Sequence, residues 1–104
     1  MSLARVALVC PDLLFGSRVE EALRAAGHEV TRATEGADAV VVDLTADGVD
    51  IEGLAAIGVP SVGFYPHVDV ETRRRALEAG FDVVVPRSRM ARETAAVVEK
   101  AMAA

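Results

Sequence analysis

The run Ala39-Val40-Val41-Val42-Asp43-Leu44 constrains this chain more than any other stretch. Its β-branched residues favour extended backbone, and a short apolar run without polar alternation reads as a strand buried on both faces. Strands of that kind lie in parallel sheets covered by helices, so the run predicts an α/β fold with this strand at its centre. Asp43 closes the strand. In open α/β sheets, ligands and chemistry gather beyond the carboxyl ends of the strands, which makes Asp43 the first candidate for function.

The remaining segments fit that frame. Arg5-Val6-Ala7-Leu8-Val9-Cys10 is a second apolar run, ended by Pro11, which cannot donate to a ladder. From Leu14 the period changes: Phe15, Val19, Ala22, Leu23 and Ala26 recur at helical spacing, with Asp12 as N-cap and Gly27 as stop. His28 to Arg32 alternates like a short edge strand. A weak helix is predicted near Val49 to Ile57, although it contains Gly53. Ser61 to Tyr65 reads as the fourth strand, ended by Pro66, and Asp69 caps a helix from Val70 to Ala79 that Gly80 stops. Phe81 to Pro86 is the fifth strand, and Ser88 is the predicted cap of one last helix running towards Ala103. The run Arg73-Arg74-Arg75 sits beside Glu71 and Glu78 and reads as a solvated face of mixed ion pairs.

The segment between the second and third strands is anomalous. A parallel crossover ordinarily takes a dozen residues or more and contains a helix, whereas Ala33 to Asp38 supplies neither. Six extended residues reach roughly 20 Å at about 3.3 Å each, enough for an extended crossover or a second strand that departs from the parallel arrangement. Either solution predicts a thinly covered sheet face, and exposed apolar surface there would favour a homodimer.

Composition sets the class. The 104 residues make one domain of common size, 52% hydrophobic and 26% charged, without low-complexity tracts, as in a soluble globular protein. No stretch has the length of a membrane span, and Met1 to Cys10 reads as a strand, not a signal peptide. With a single Cys10 that cannot form an internal disulfide, a cytoplasmic address is expected. The net charge of −5 argues against a nucleic-acid surface, which needs clustered Lys and Arg.

The order strand, helix, strand, strand, helix, strand, helix, strand, helix resembles the receiver domain of two-component response regulators with its second helix deleted. Val9-Cys10-Pro11-Asp12-Leu13-Leu14-Phe15 is similar to the receiver's first strand and acidic loop, and Val40-Val41-Val42-Asp43-Leu44 to its phosphoacceptor strand. Ala76-Leu77-Glu78-Ala79-Gly80-Phe81-Asp82 resembles its fourth helix and the turn into its fifth strand. The resemblance implies a flavodoxin-like (CheY-like) three-layer sandwich, with a five-stranded, mainly parallel sheet in the order 2-1-3-4-5.

Carried over residue by residue, the family's chemistry is mostly missing. Receivers hold Mg²⁺ with two adjacent acids after the first strand, and Cys10 and Pro11 stand at those positions. Mg²⁺ wants oxygen ligands in near-octahedral geometry, which neither residue offers through its side chain, leaving Asp12 and Asp43 as weak candidates. The phosphoacceptor position keeps Asp43, the switch hydroxyl falls at Tyr65, and the family's Lys matches Arg87, followed by Ser88 where a Pro would stand. Without the metal, Asp43 and Arg87 are expected to form a fixed ion pair. Phosphoryl transfer to a carboxylate needs a cation that neutralises incoming charge, so the resemblance implies a degenerate pseudo-receiver, not an enzyme, without cofactor, that acts through protein partners. The alternatives are a phosphoryl-accepting regulator using Asp43, with Mg²⁺ as its cofactor, and a phosphocysteine carrier using Cys10.

Other motifs are thinner. Cys10 lacks the Cys-x5-Arg spacing of phosphatases, because Arg18 lies too far along, and a buried, inert thiol is the simpler reading. His67 and Asp69 are too few to define a metal site. No Gly-x-Gly-x-x-Gly follows the first strand, and no Gly-x-Ser-x-Gly elbow is present. Cys10, Asp12, Asp43, Tyr65, His67 and Arg87 are nevertheless all expected at one end of the sheet, where they would form a recognition edge.

Overall fold

In a computed structural model that describes residues 3–66 and 69–103, the chain runs β1 (Arg5–Val9), α1 (Leu13–Ala25), β2 (Glu29–Thr31), β3 (Ala39–Asp43), α2 (Ile51–Ala55), β4 (Ser61–Tyr65), α3 (Val70–Ala79), β5 (Val83–Pro86), α4 (Arg87–Arg92) and α5 (Thr94–Ala103). The five strands form one sheet in the order β2-β1-β3-β4-β5, and every neighbouring pair is parallel. β3 lies in the middle and every one of its residues is buried, as its unbroken apolar run requires.

Alternation along the strands builds two cores. Val6, Leu8, Val41, Val62, Phe64 and Val85 face one way and meet Val19 and Leu23 of α1, Met90 of α4, and Val97, Val98 and Ala101 of α5. Ala7, Val40, Val42 and Tyr65 face the other way, under Ile51 of α2 and Ala76 of α3. β4 carries Gly63 on this second face because Leu44 lies directly over it: a Cβ there would stand 2.7 Å from Leu44 Cδ1. Gly53 has a similar cause, since the Asp50 carboxylate that caps α2 fills the space a Cβ would take. The glycine that weakens the helix is what admits its cap.

Caps at Asp12 and Asp69 stand as the sequence predicts, accepting from Phe15 N at 3.1 Å and Thr72 N at 3.1 Å. α3 ends at Gly80 in the left-handed region, φ 110°. Arg74 bridges Glu71 and Glu78, and Arg75 reaches Glu52, so the arginine run is a solvated ion-pair face. The single last helix, however, is two. α4 starts directly on Pro86 with no side-chain cap, Ser88 lies inside it, and the backbone breaks at Glu93, φ −127° and ψ 35°. The helix restarts at Thr94, whose hydroxyl donates to Met90 O at 2.6 Å across the break.

The short crossover contains no helix, and the second strand stays parallel. A turn does the work: Ala37 N donates to Thr34 O at 3.2 Å, and Gly36 takes φ 74°. Asp38 then fastens the segment to β1, donating its N–H to Arg5 O and accepting Arg5 N on its carboxylate at 2.8 Å. The face left without a helix differs from the expectation. Register partners Arg5 and Glu29 form a 3.3 Å ion pair there, Thr31 stands opposite the buried Ala7, and the exposed Leu3 lines a pocket with Arg5, Glu29, Gly36 and Asp38, while Leu13 and Leu14 lie elsewhere. Among the described residues, charge from Arg5, Glu29 and Asp38 thus stands beside the exposed Leu3 at this face. No helix among the described residues is long and apolar enough to cross a membrane.

Candidate functional site

Parallel strands deliver their carboxyl ends to one edge, and the topology places Cys10 after β1, Asp43 at the end of β3, Tyr65 at the end of β4 and Arg87 after β5. Asp12, N-cap of α1, belongs to the same edge. His67 lies outside the described residues. The convergence reaches the electrostatics: the Cys10 thiol feels the charges of Asp43, Asp12 and Arg87 together.

The ion pair at this edge is not the expected one. Arg87 donates through Nη2 to Asp12 Oδ2, while Asp43 turns to its own loop and accepts from Thr45 N and Thr45 Oγ1, each at 3.1 Å. The reason is local. An acid two residues before a threonine closes a turn on itself at almost no entropic cost, whereas reaching Arg87 would spend the carboxylate across the sheet edge. Asp43 is only 8% exposed, and these two donors hold it where it sits. Asp12, held at the helix start, is the acid left facing the arginine.

Arg87 has a second contact. Its guanidinium lies 4.2 Å above the Phe15 ring, and Phe15 packs on the buried Phe64 with centroids 4.9 Å apart. Arginine alone offers both a flat face for the ring and N–H donors at its rim for the carboxylate. Asp12, Leu14, Phe15, Arg18 and Arg87 line a groove of about 290 Å³ beside this stack. Leu13 and Leu14, 81% and 87% exposed, stand on the first turn of α1 at its margin. The Phe15 N–H bond first, and the Arg87 guanidinium second, hold the Asp12 carboxyl below its ordinary pKa. Burial pushes the Cys10 thiol up, and its S–H donates to Asp12 O at 3.7 Å. Tyr65 is buried in the second core.

Mg²⁺, which the receiver resemblance implies, finds few free oxygens here: both bonds to Asp43 fall on Oδ1, which leaves Asp43 Oδ2 as the carboxylate oxygen at this edge without a hydrogen bond among the described residues. Cys10 presents a buried, protonated sulfur where a hard cation needs oxygen, and both Asp12 carboxylate oxygens are already taken, one by Phe15 N–H and one by Arg87. Among the described residues, no three His, Cys, Asp or Glu side chains are grouped to hold a metal ion.

Three features at this edge escape sequence reading. Thr45 is legible in principle, because Asp-x-Thr after a strand is an Asx-turn signal. The Phe15 platform and the Asp12 to Arg87 pairing carry no local signal, since both join α1 to distant parts of the chain, Asp12 and Arg87 lying 75 residues apart.

The sequence matches no family model and no curated protein. The structure is similar to solved receiver domains. NtrX from Brucella abortus superposes with a TM-score of 0.84 at 20% identity, over 99% of this chain and 27% of NtrX, so the chain spans about a quarter of that protein. A response regulator receiver domain from Clostridium thermocellum gives 0.82 at 14% identity, covering 97% of this chain and 95% of the other. A CheY-like receiver domain protein from Methanospirillum hungatei gives 0.82 at 16%, covering 98% and 95%. At identities this low the likeness speaks for architecture, and the architecture of this chain is that of a response-regulator receiver domain with the helix between its second and third strands absent.

Proposed function

We propose that the chain is a signalling module of two-component type that acts through protein contacts and not through phosphoryl transfer at Asp43. One observation carries this reading: Arg87 supplies from within the positive charge that the receiver chemistry takes from a metal, and it supplies it to Asp12, not to Asp43. An incoming phosphoryl group at Asp43 would meet the Cys10 thiol and the loop of Thr45, and Arg87, the cation at this edge among the described residues, is engaged with Asp12. The same edge offers something else, two adjacent leucines open to solvent beside an arginine-lined groove, which suits a protein surface. A homodimer, within this proposal, would form through that edge and not over β1 and β2.

Incubation with acetyl phosphate and Mg²⁺ followed by intact-mass measurement tests the reading, and the expected result is no added phosphoryl mass. A gain that disappears in Asp43→Ala would make the chain a working phosphoacceptor. A gain that disappears in Cys10→Ala would make it a phosphocysteine carrier. Either gain overturns the proposal.

A further inference from the structure

We infer that Arg87 is the pin of a clasp that couples the start of α1 to the start of α4, so that the exposed Leu13 and Leu14 are positioned by a residue at the far end of the chain. This deepens the proposed protein-contact function and rests on it for its biological meaning, while its physical test is independent of it.

The geometry is a closed circuit. Asp12 Oδ1 accepts Phe15 N at 3.1 Å and thereby starts α1; Asp12 Oδ2 accepts Arg87 Nη2; and the Arg87 guanidinium lies 4.2 Å above the ring of the same Phe15. One helix start is therefore gripped by one arginine through both its cap and its third residue. α4 has no side-chain cap of its own, and Arg87 is its first residue, so the grip is the only side-chain fastening found at that helix start among the described residues. The floor of the circuit is rigid because Phe15 rests on the fully buried Phe64. The upper side is open, with the Arg87 and Asp12 side chains each 40% exposed, so the clasp can release without unfolding the core. When it does, the first turn of α1, including Leu13 and Leu14, loses its polar tie to the start of α4 and keeps only the packing of Phe15 on the core. A partner that seats on those leucines would bind the clasped state, and the clasp would spare it the cost of ordering them.

Amide hydrogen exchange by NMR on the full chain reads this directly. In Arg87→Gln, exchange at Phe15 and Gly16 should accelerate about two- to fivefold, the scale of a half-exposed ion pair with one cation–π contact. Asp12→Ser, which keeps a capping oxygen but loses the carboxylate, should accelerate exchange at Met90 and Ala91, the first amides of α4 with intrahelical acceptors, far along the chain from the change. The double variant should be no faster than the faster single one, because both remove the same link. Arg87→Lys separates clasp from charge: it should leave Asp12 acidic by NMR titration yet exchange like Arg87→Gln, since an ammonium cannot bridge ring and carboxylate at once. Unchanged exchange at Phe15 and Gly16 in Arg87→Gln, effects that add in the double variant, or Lys behaving as wild type would each overturn the clasp. A phosphoryl gain in the acetyl phosphate experiment would overturn the proposed function and leave this result standing.

Discussion

Gly63→Ala is a one-methyl substitution that tests the packing behind the site. Gly63 is the third of five residues in β4, paired in register with Val42 and Val84, and the added Cβ would lie 2.7 Å from Leu44 Cδ1 and 2.9 Å from both Cδ2 and Cγ. The whole head of Leu44, not merely its tip, must move by roughly 1 Å to restore ordinary contact near 3.5–4 Å. It has little freedom, being 3% exposed and tied through its N–H to Phe64 O at 3.0 Å. Overpacking of this kind costs about 1–3 kcal/mol, and the reduced freedom of the unfolded chain returns about 0.4–1 kcal/mol of it. The expected net loss is therefore about 1–2 kcal/mol, or roughly 4–16 °C in Tm for a domain near 100 residues. Urea unfolding should show a lower midpoint with the same slope. Leu44→Ala alone should cost about 2–5 kcal/mol through its cavity. In the double variant the methyl added at position 63 sits in that cavity, so the combined loss should fall short of the sum by at least about 1 kcal/mol. An unchanged midpoint in Gly63→Ala, or strict additivity, would refute the reasoning that Gly63 exists to admit Leu44.

Other predictions concern the sheet edge. Because the folded pKa of Asp12 is lowered, its contribution to stability is present above the ordinary carboxylate value, about 3.9, and is lost as pH falls through the folded value; Arg87→Gln should raise that value in a carbon-detected NMR titration and shift the acid limb upward. Cys10, buried and raised in pKa, should react with a thiol reagent at neutral pH far more slowly than the unfolded chain does, and fast labelling of the native protein would contradict its placement. Leu13→Ser with Leu14→Ser removes only exposed side chains, so stability should stay within about 0.5 kcal/mol in urea titration; a larger loss would show that these leucines serve the fold and not a surface.

Much of the architecture was legible in local chemistry. The apolar run at Ala39 to Asp43, the helical period after Leu14, the caps at Asp12 and Asp69 and the stop at Gly80 each report a preference that a few neighbouring residues settle among themselves, and the parallel order follows from the spacing of such segments. Even the missing helix could be read from the length of Ala33 to Asp38. The gathering of Cys10, Asp12, Asp43, Tyr65 and Arg87 at one edge followed from each standing at, or within three residues after, the end of a strand.

What the chain alone left open was decided at long range. Asp43 and Asp12 are both plausible partners for Arg87 in sequence, and the choice fell on Asp12 because Thr45 already holds Asp43. The division of the last helix is a backbone break at Glu93, bridged by the Thr94 hydroxyl on Met90 O, within a stretch whose composition reads as one helix. Arg5 and Glu29 meet on the uncovered face only because β1 and β2 pair in the register that sets those two side by side. Local preferences are energies between neighbours and survive in a one-dimensional reading. Pairings between residues dozens of positions apart compete with one another, and only the packed sheet fixes which partner each charge meets.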